Sequence, residues 1–122
     1  MANILISIKP QYVEKIFNGS KRYEYRTRLA KRPVDKLIIY STSPVMKVVG
    51  EAEVIDTLKC NREELWNKTK EYSGVTKEAF NRYFPIDKDA CAYALGKTTI
   101  YQEPKDLKDY GIKAAPQSFI YL

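Results

Sequence analysis

Gly19-Ser20-Lys21-Arg22-Tyr23-Glu24-Tyr25-Arg26-Thr27-Arg28 is the stretch on which the reading of this chain turns. A glycine able to close a turn is followed at once by alternating charged and aromatic side chains. Strands repeat with period two, so Arg22, Glu24, Arg26 and Arg28 share one face and Tyr23, Tyr25 and Thr27 the other. A charged strand face is costly to bury. It is either a solvated sheet face or the wall of a cleft that grips an anionic or polar ligand.

Working outward toward the N-terminus, Pro10 suits the first position of a helix and Gly19 its left-handed terminator. Tyr12, Val13, Ile16 and Phe17 recur between them at helical spacing, which predicts a helix over 10–18 packed on a sheet. The apolar run Ile4 to Ile8, closed by Lys9-Pro10, reads as an opening buried strand.

Toward the C-terminus the charge accumulates. Lys21, Arg22, Arg26, Arg28, Lys31, Arg32 and Lys36 stand against Glu24 and Asp35, a local balance of +5 in a chain whose whole balance is +6. Positive potential concentrated in this way attracts phosphate backbones and other polyanions, and interleaved tyrosines can stack on bases. The same tyrosines also suit a core, because they alternate onto the opposite face.

Lys36 to Ser41 reads as a buried strand, and Thr42-Ser43-Pro44 as a turn. Met46 to Leu58 reads as a long strand with a bulge near Gly50. Asn61-Arg62-Glu63-Glu64 forms a capping box that starts a helix through about Tyr72, with Leu65, Trp66, Thr69 and Tyr72 inward. Thr76 caps a second, short helix that ends near Phe84-Pro85, with Val75 and Phe80 as its staple. Ala90 to Tyr101 returns to strand, Asp106 to Tyr110 makes one helical turn closed by Gly111, and Ser118 to Leu122 is a last strand. Strands outnumber helices without regular alternation, so a doubly wound parallel sheet is disfavoured. The expected class is α+β: one domain over 1–122, a small and mostly antiparallel barrel with helices inserted between strands.

Composition narrows the chemistry. Cys60 and Cys91 lie far apart and the chain has no histidine, so no zinc-type metal site and no histidine-based catalysis is expected. Any enzyme here works with Lys, Glu, Asp, Tyr or Thr. Gly96-Lys97-Thr98 looks like the end of a P-loop, but Cys91 stands where the leading glycine belongs, which removes that reading. No apolar run reaches membrane-spanning length and no signal-peptide pattern opens the chain, so the expected location is cytoplasmic. No cofactor is implied.

Taken together, Ser7-Ile8-Lys9-Pro10, Tyr12, Lys15-Ile16, Gly19, Lys21, Glu24 and Arg26 resemble the opening signature of the ASCH domain, a branch of the PUA-like superfamily. Ile39-Tyr40-Ser41-Thr42-Ser43-Pro44, Val48-Val49-Gly50-Glu51, Glu64-Leu65-Trp66, Glu71-Tyr72-Ser73-Gly74 and Ala115-Pro116-Gln117-Ser118-Phe119 extend the resemblance over nearly the whole chain. It is nearest to small prokaryotic and phage members labelled predicted transcriptional regulators. The resemblance implies a PUA-like β-barrel with a helix-lined cleft and RNA or modified-nucleotide recognition, with a regulatory purpose among its expectations. The nucleic-acid-binding residues are then Lys9, Lys21, Arg22, Glu24, Arg26, Arg28, Lys31, Arg32, Ser41 and Ser43.

One group of short enzymes in that family hydrolyses N4-acetylcytidine with a Lys and a Thr of this element and a downstream Glu. By resemblance Lys21 matches the lysine, Arg26 the arginine two residues past the threonine, and Glu71 the glutamate, whereas position 24 is Glu where those hydrolases have Thr. The alternative to a binding protein is therefore a hydrolase of a modified nucleoside or of RNA, with Lys21, Glu24 and Glu71 as its catalytic set. A protein-interaction domain whose basic loop meets an acidic partner is a third reading.

Overall fold

The structure is a computed structural model that describes residues 2–122. In chain order its elements are strand β1 (Ala2–Ile8), helix α1 (Pro10–Asn18), strands β2 (Tyr23–Arg26), β3 (Val34–Ser41) and β4 (Lys47–Asn61), helices α2 (Arg62–Thr69) and α3 (Lys77–Tyr83), and strands β5 (Asp89–Lys105) and β6 (Phe119–Tyr121). Short 3-10 turns occupy Lys70–Tyr72 and Leu107–Tyr110. The predicted α+β class and element order hold.

The caps account for the boundaries. Pro10 opens α1 and Gly19, at φ 84°, closes it. The side chain of Asn61 accepts from the Glu64 amide, and that of Thr76 from the Ala79 amide, so each satisfies an orphan N–H of its helix. Asp106 and Asp109 form a reciprocal capping box around the second 3-10 turn, which Gly111 ends.

The strands assemble in the order β2-β5-β4-β3-β1-β6. Four of the five pairings are antiparallel, and β1 with β3 is the parallel one. Both faces of β1 are covered: Ile4, Ile6 and Ile8 join Val13 and Ile16 of α1 in one cluster, while Leu5 joins Ile38, Tyr40 and Val48 on the other side. That double burial is why β1 reads as an unbroken apolar run. The bulge expected near Gly50 is present as register shifts on both sides of β4. A Cβ at Gly50 would meet Thr99 O at 2.3 Å and Phe17 Cζ at 2.6 Å, so glycine is what lets α1 and β5 close on this strand.

The segment between β4 and β5 folds back as α2 and α3. Leu65 and Phe80 from these helices, with Phe84 just past α3, pack with Tyr25, Ala90 and Ala92 of β2 and β5. Trp66 is half-buried against Phe80, its ring centroid 5.1 Å away, and so serves this core.

The barrel expected from the resemblance is left open. β2 and β6 are the two edges of the sheet and no ladder joins them. The sheet nonetheless curls until its edges face each other, and Arg26 crosses the gap: Nη2 donates to Ser7 O at 2.8 Å and Nη1 to Ser118 Oγ at 3.3 Å. A side chain thus stands where barrel hydrogen bonds would run. The unzipped seam is the place in the sheet where a ligand can reach polar groups without breaking a ladder. Among the described residues no helix is long and apolar enough to cross a membrane.

Candidate functional site

A cleft of about 520 Å³ lies along this seam. Ser7, Ile8 and Lys9 form one wall, Lys21, Glu24, Tyr25 and Arg26 the other, and Ala79, Arg82 and Tyr83 of α3 reach over it.

Lys21, a site residue expected from the sequence, is buried. It is 3% exposed although it carries an ammonium group. Its Nζ donates to Ser73 O at 2.8 Å and lies 4.7 Å from the centroid of the Tyr25 ring and 5.4 Å from that of Tyr12. Burial pushes its pKa down from 10.5 to about 8, and the nearby Glu24 carboxylate opposes that fall. The loop that receives it is fitted closely: Arg22 N donates to Tyr72 O at 2.8 Å and Lys15 Nζ to Gly74 O at 3.2 Å.

Glu24 is buried as well, and it is bound to Arg26 rather than to Lys21. Its Oε2 accepts from Arg26 Nε at 3.1 Å and from Nη2 at 2.8 Å. No described residue donates to its Oε1. An arginine presents five N–H groups, and here Glu24 takes two, Ser7 O one and Ser118 Oγ one. One N–H on Nη1 is left over at the seam. Of the alternating face read from the sequence, Glu24 and Arg26 form a cleft wall, and the charge there is tolerated because the carboxylate and guanidinium neutralise each other.

Tyr25 anchors the floor. Its hydroxyl donates to Thr69 Oγ1 at 2.6 Å while that hydroxyl donates back to Leu65 O at 2.7 Å. Desolvation pushes the Tyr25 phenol up to about 12, so it stays protonated at any physiological pH.

The other residues singled out in the sequence divide. Lys9 is exposed at the cleft mouth. Arg28 and Lys31 are exposed along a second cavity beyond Arg26, while the Arg32 guanidinium stacks 3.7 Å from the Tyr121 ring centroid. Arg22 turns away from the cleft to stack on Tyr72 at 4.0 Å, with Nε donating to Gly19 O. Ser41 is buried at the end of an inner strand, and Ser43 is exposed in the turn after it; neither lines the cleft. Glu71 is exposed on the 3-10 turn, its carboxylate hydrogen-bonds to no described residue, and it does not line the cleft. What that segment offers Lys21 is the backbone carbonyl of Ser73. Among the described residues no three His, Cys, Asp or Glu side chains gather where they could hold a metal ion.

Sequence reasoning missed Ala79, Arg82 and Tyr83 as cleft residues. Their spacing on α3 places them on one helical face, a signal that was legible beside the Phe80 anchor.

The domain model for the ASCH domain matches residues 6–113. This chain belongs to the ASCH domain family. Over 120 residues it is 33% identical to a protein named ATP synthase subunit alpha from Ureaplasma parvum serovar 3, matching 98% of this chain and 15% of that protein. A protein named ASCH domain-containing ribonuclease from Zymomonas mobilis is 27% identical over 92 residues, 75% of this chain and 62% of its own length. The chain thus spans a small part of the first relative and under two thirds of the second. The crystal structure of ASCH from Zymomonas mobilis superposes with a TM-score of 0.88 at 24% identity, covering 98% of this chain and 87% of that one. That likeness establishes the ASCH fold, and the open seam with its Lys21, Glu24 and Arg26 is how this ASCH chain fills it.

Proposed function

We propose that this ASCH domain binds single-stranded RNA and seats one nucleotide in the seam cleft. The observation that carries the reading is the convergence of Lys21 and Arg26 with the rings of Tyr12, Tyr25 and Tyr83 in one open cavity of about 520 Å³, a volume in the range of small-ligand sites. Cationic donors suit the phosphate and aromatic rings suit the base, which must be unpaired to enter. Glu24 Oε1, the carboxylate oxygen that Arg26 leaves free, is placed to accept from an exocyclic amine. Lys9 and Arg82 at the mouth add attraction for the flanking backbone.

The test is equilibrium binding to labelled single-stranded RNA, duplex RNA and single-stranded DNA across a salt series. Lys21→Met and Lys9→Ala/Arg82→Ala serve as variants. The reading expects single-stranded RNA to bind best, affinity to fall with salt, and both variants to weaken it. Equal binding to all three, or none at low salt, overturns it.

A second reading has its own support. A lysine with a depressed pKa beside a carboxylate in a cleft is an arrangement typical of acid–base chemistry, and one relative is named a ribonuclease. In that case Glu24 Oε1 takes the proton of an attacking 2′-hydroxyl, and the Lys21 ammonium supports the charge developing on the phosphate or protonates the departing 5′-oxygen. N4-acetylcytidine hydrolysis is less well served, because position 24 supplies a carboxylate tied to Arg26 in place of a threonine hydroxyl. Incubating the protein with end-labelled RNA and with N4-acetylcytidine separates these activities from binding without turnover, which is what a regulator requires.

A further inference from the structure

The seam does not end at Arg26. A second cavity, about 460 Å³, continues along it and is lined by Arg28, Leu29, Lys31, Phe119 and Tyr121. Arg26 and Tyr83 line both cavities. We propose that this second cavity is a subsite for the adjoining nucleotide of the same RNA strand, so that the ligand unit is two consecutive nucleotides with the linking phosphate at Arg26. The inference rests on the RNA reading above and deepens it.

The chemistry of the second cavity repeats that of the first without its acid. It offers cations in Arg28 and Lys31, rings in Tyr83, Phe119 and Tyr121, and no carboxylate in its lining. Phe119 and Tyr121 stand edge to face at 5.6 Å, and the Arg32 guanidinium packs on Tyr121, so their orientation is set before any ligand arrives. Tyr83 is 46% exposed between the two spaces and can separate or stack successive bases. Arg26, at that junction, has one N–H on Nη1 unspent after serving Glu24, Ser7 and Ser118. A phosphodiester oxygen is the acceptor that a strand crossing from one cavity to the other would bring there.

The experiment compares a cytidine mononucleotide, the cytidylyl dinucleotide and a tetranucleotide by competition against a labelled RNA, in wild type and in Arg28→Ala/Lys31→Ala. Both substituted residues are exposed, and circular dichroism melts verify that the variant is folded. The measured quantity is the ratio of dinucleotide to mononucleotide affinity, in which general attraction toward a basic surface largely cancels. Wild type should show a ratio of about tenfold or more from one additional stacked base, with little further gain at the tetranucleotide. The double variant should bring the ratio down at least fivefold, and Tyr121→Leu, which removes a ring but no charge, should lower it as well. A wild-type ratio near one, or a ratio the variants leave unchanged, overturns the second subsite while mononucleotide binding keeps the first reading intact. Failure of every length to bind overturns both.

Discussion

Gly74 lies so close to the stem of Lys21 that a Cβ on residue 74 would sit 2.5 Å from Lys21 Cβ and 2.6 Å from Cγ. The residue also holds φ at +70°, a conformation that L side chains rarely adopt. Glycine is therefore required twice over, and the reason is the burial of Lys21. Gly111 separates the two requirements, since it has φ +73° and nothing within 4 Å of a built Cβ. Gly111→Ala should lose only the backbone preference, about 1 kcal/mol, whereas Gly74→Ala should lose clearly more and disturb the Ser73 carbonyl that receives Lys21. Urea unfolding of both variants checks this. Equal losses would mean that the lysine stem yields freely.

Lys21 itself should be a stability liability. The folded protein releases its proton near pH 8 while the unfolded chain keeps it to 10.5, so between those values the unfolded state binds more protons and stability rises with pH. Below pH 8 the penalty is complete, roughly 3 kcal/mol at about 1.4 kcal/mol per unit. Lys21→Met keeps the stem and forfeits the bond to Ser73 O, about 1 kcal/mol. The variant should accordingly be about 2 kcal/mol more stable at pH 7, and the difference should shrink to within about 1 kcal/mol by pH 10.5. Denaturant melts of both proteins at the two pH values decide it. A less stable variant at pH 7 would show that the amine is well solvated after all.

Arg26 and Glu24 form the pair whose breakage should be most damaging. Their side chains are only 12% and 8% exposed, so Arg26→Ala strands a buried carboxylate and also removes the bridge across the seam. Losing one partner of such a pair costs about 3–5 kcal/mol, while replacing both with neutral groups of similar size costs much less. Glu24→Gln/Arg26→Met should therefore be more stable than Arg26→Ala, and a double-mutant cycle by urea unfolding measures the coupling. Independent, additive effects would place the two charges in water.

The alternation of Arg22 to Arg28 made the charged strand legible, but not which charges it keeps. Glu24 and Arg26 stay in the cleft because each neutralises the other across a two-residue step, a local relationship the sequence contains. Arg22 leaves because its backbone is pinned between Tyr72 O and Leu95 N, partners fixed only by the tertiary fold. Ser41 misled for a related reason: a hydroxyl before a proline turn looks available, yet β3 is an inner strand and its end is buried away from the seam. Helix ends were read closely because Pro10, Gly19, Asn61 and Thr76 act within one turn of chain. The open seam was out of reach, since closure depends on whether the short β2 and β6 find each other across more than ninety residues, which no local pattern encodes.

The charge of Lys21 should also set the pH dependence of binding. The ammonium form presents a cation to the ligand, and that form is lost as pH rises through about 8. Affinity for a cytidine oligonucleotide, whose bases do not titrate in this range, should fall between pH 7 and 9 with a midpoint near 8, shifted upward if the bound phosphate stabilises the proton. Lys21→Met should bind more weakly at pH 7 and show no such step. Fluorescence anisotropy at constant ionic strength measures both curves. A step that survives in Lys21→Met would assign the titration to another group, a flat wild-type curve would take Lys21 out of contact with the phosphate, and affinity that rises with pH would rule out the ammonium as the ligand-binding form.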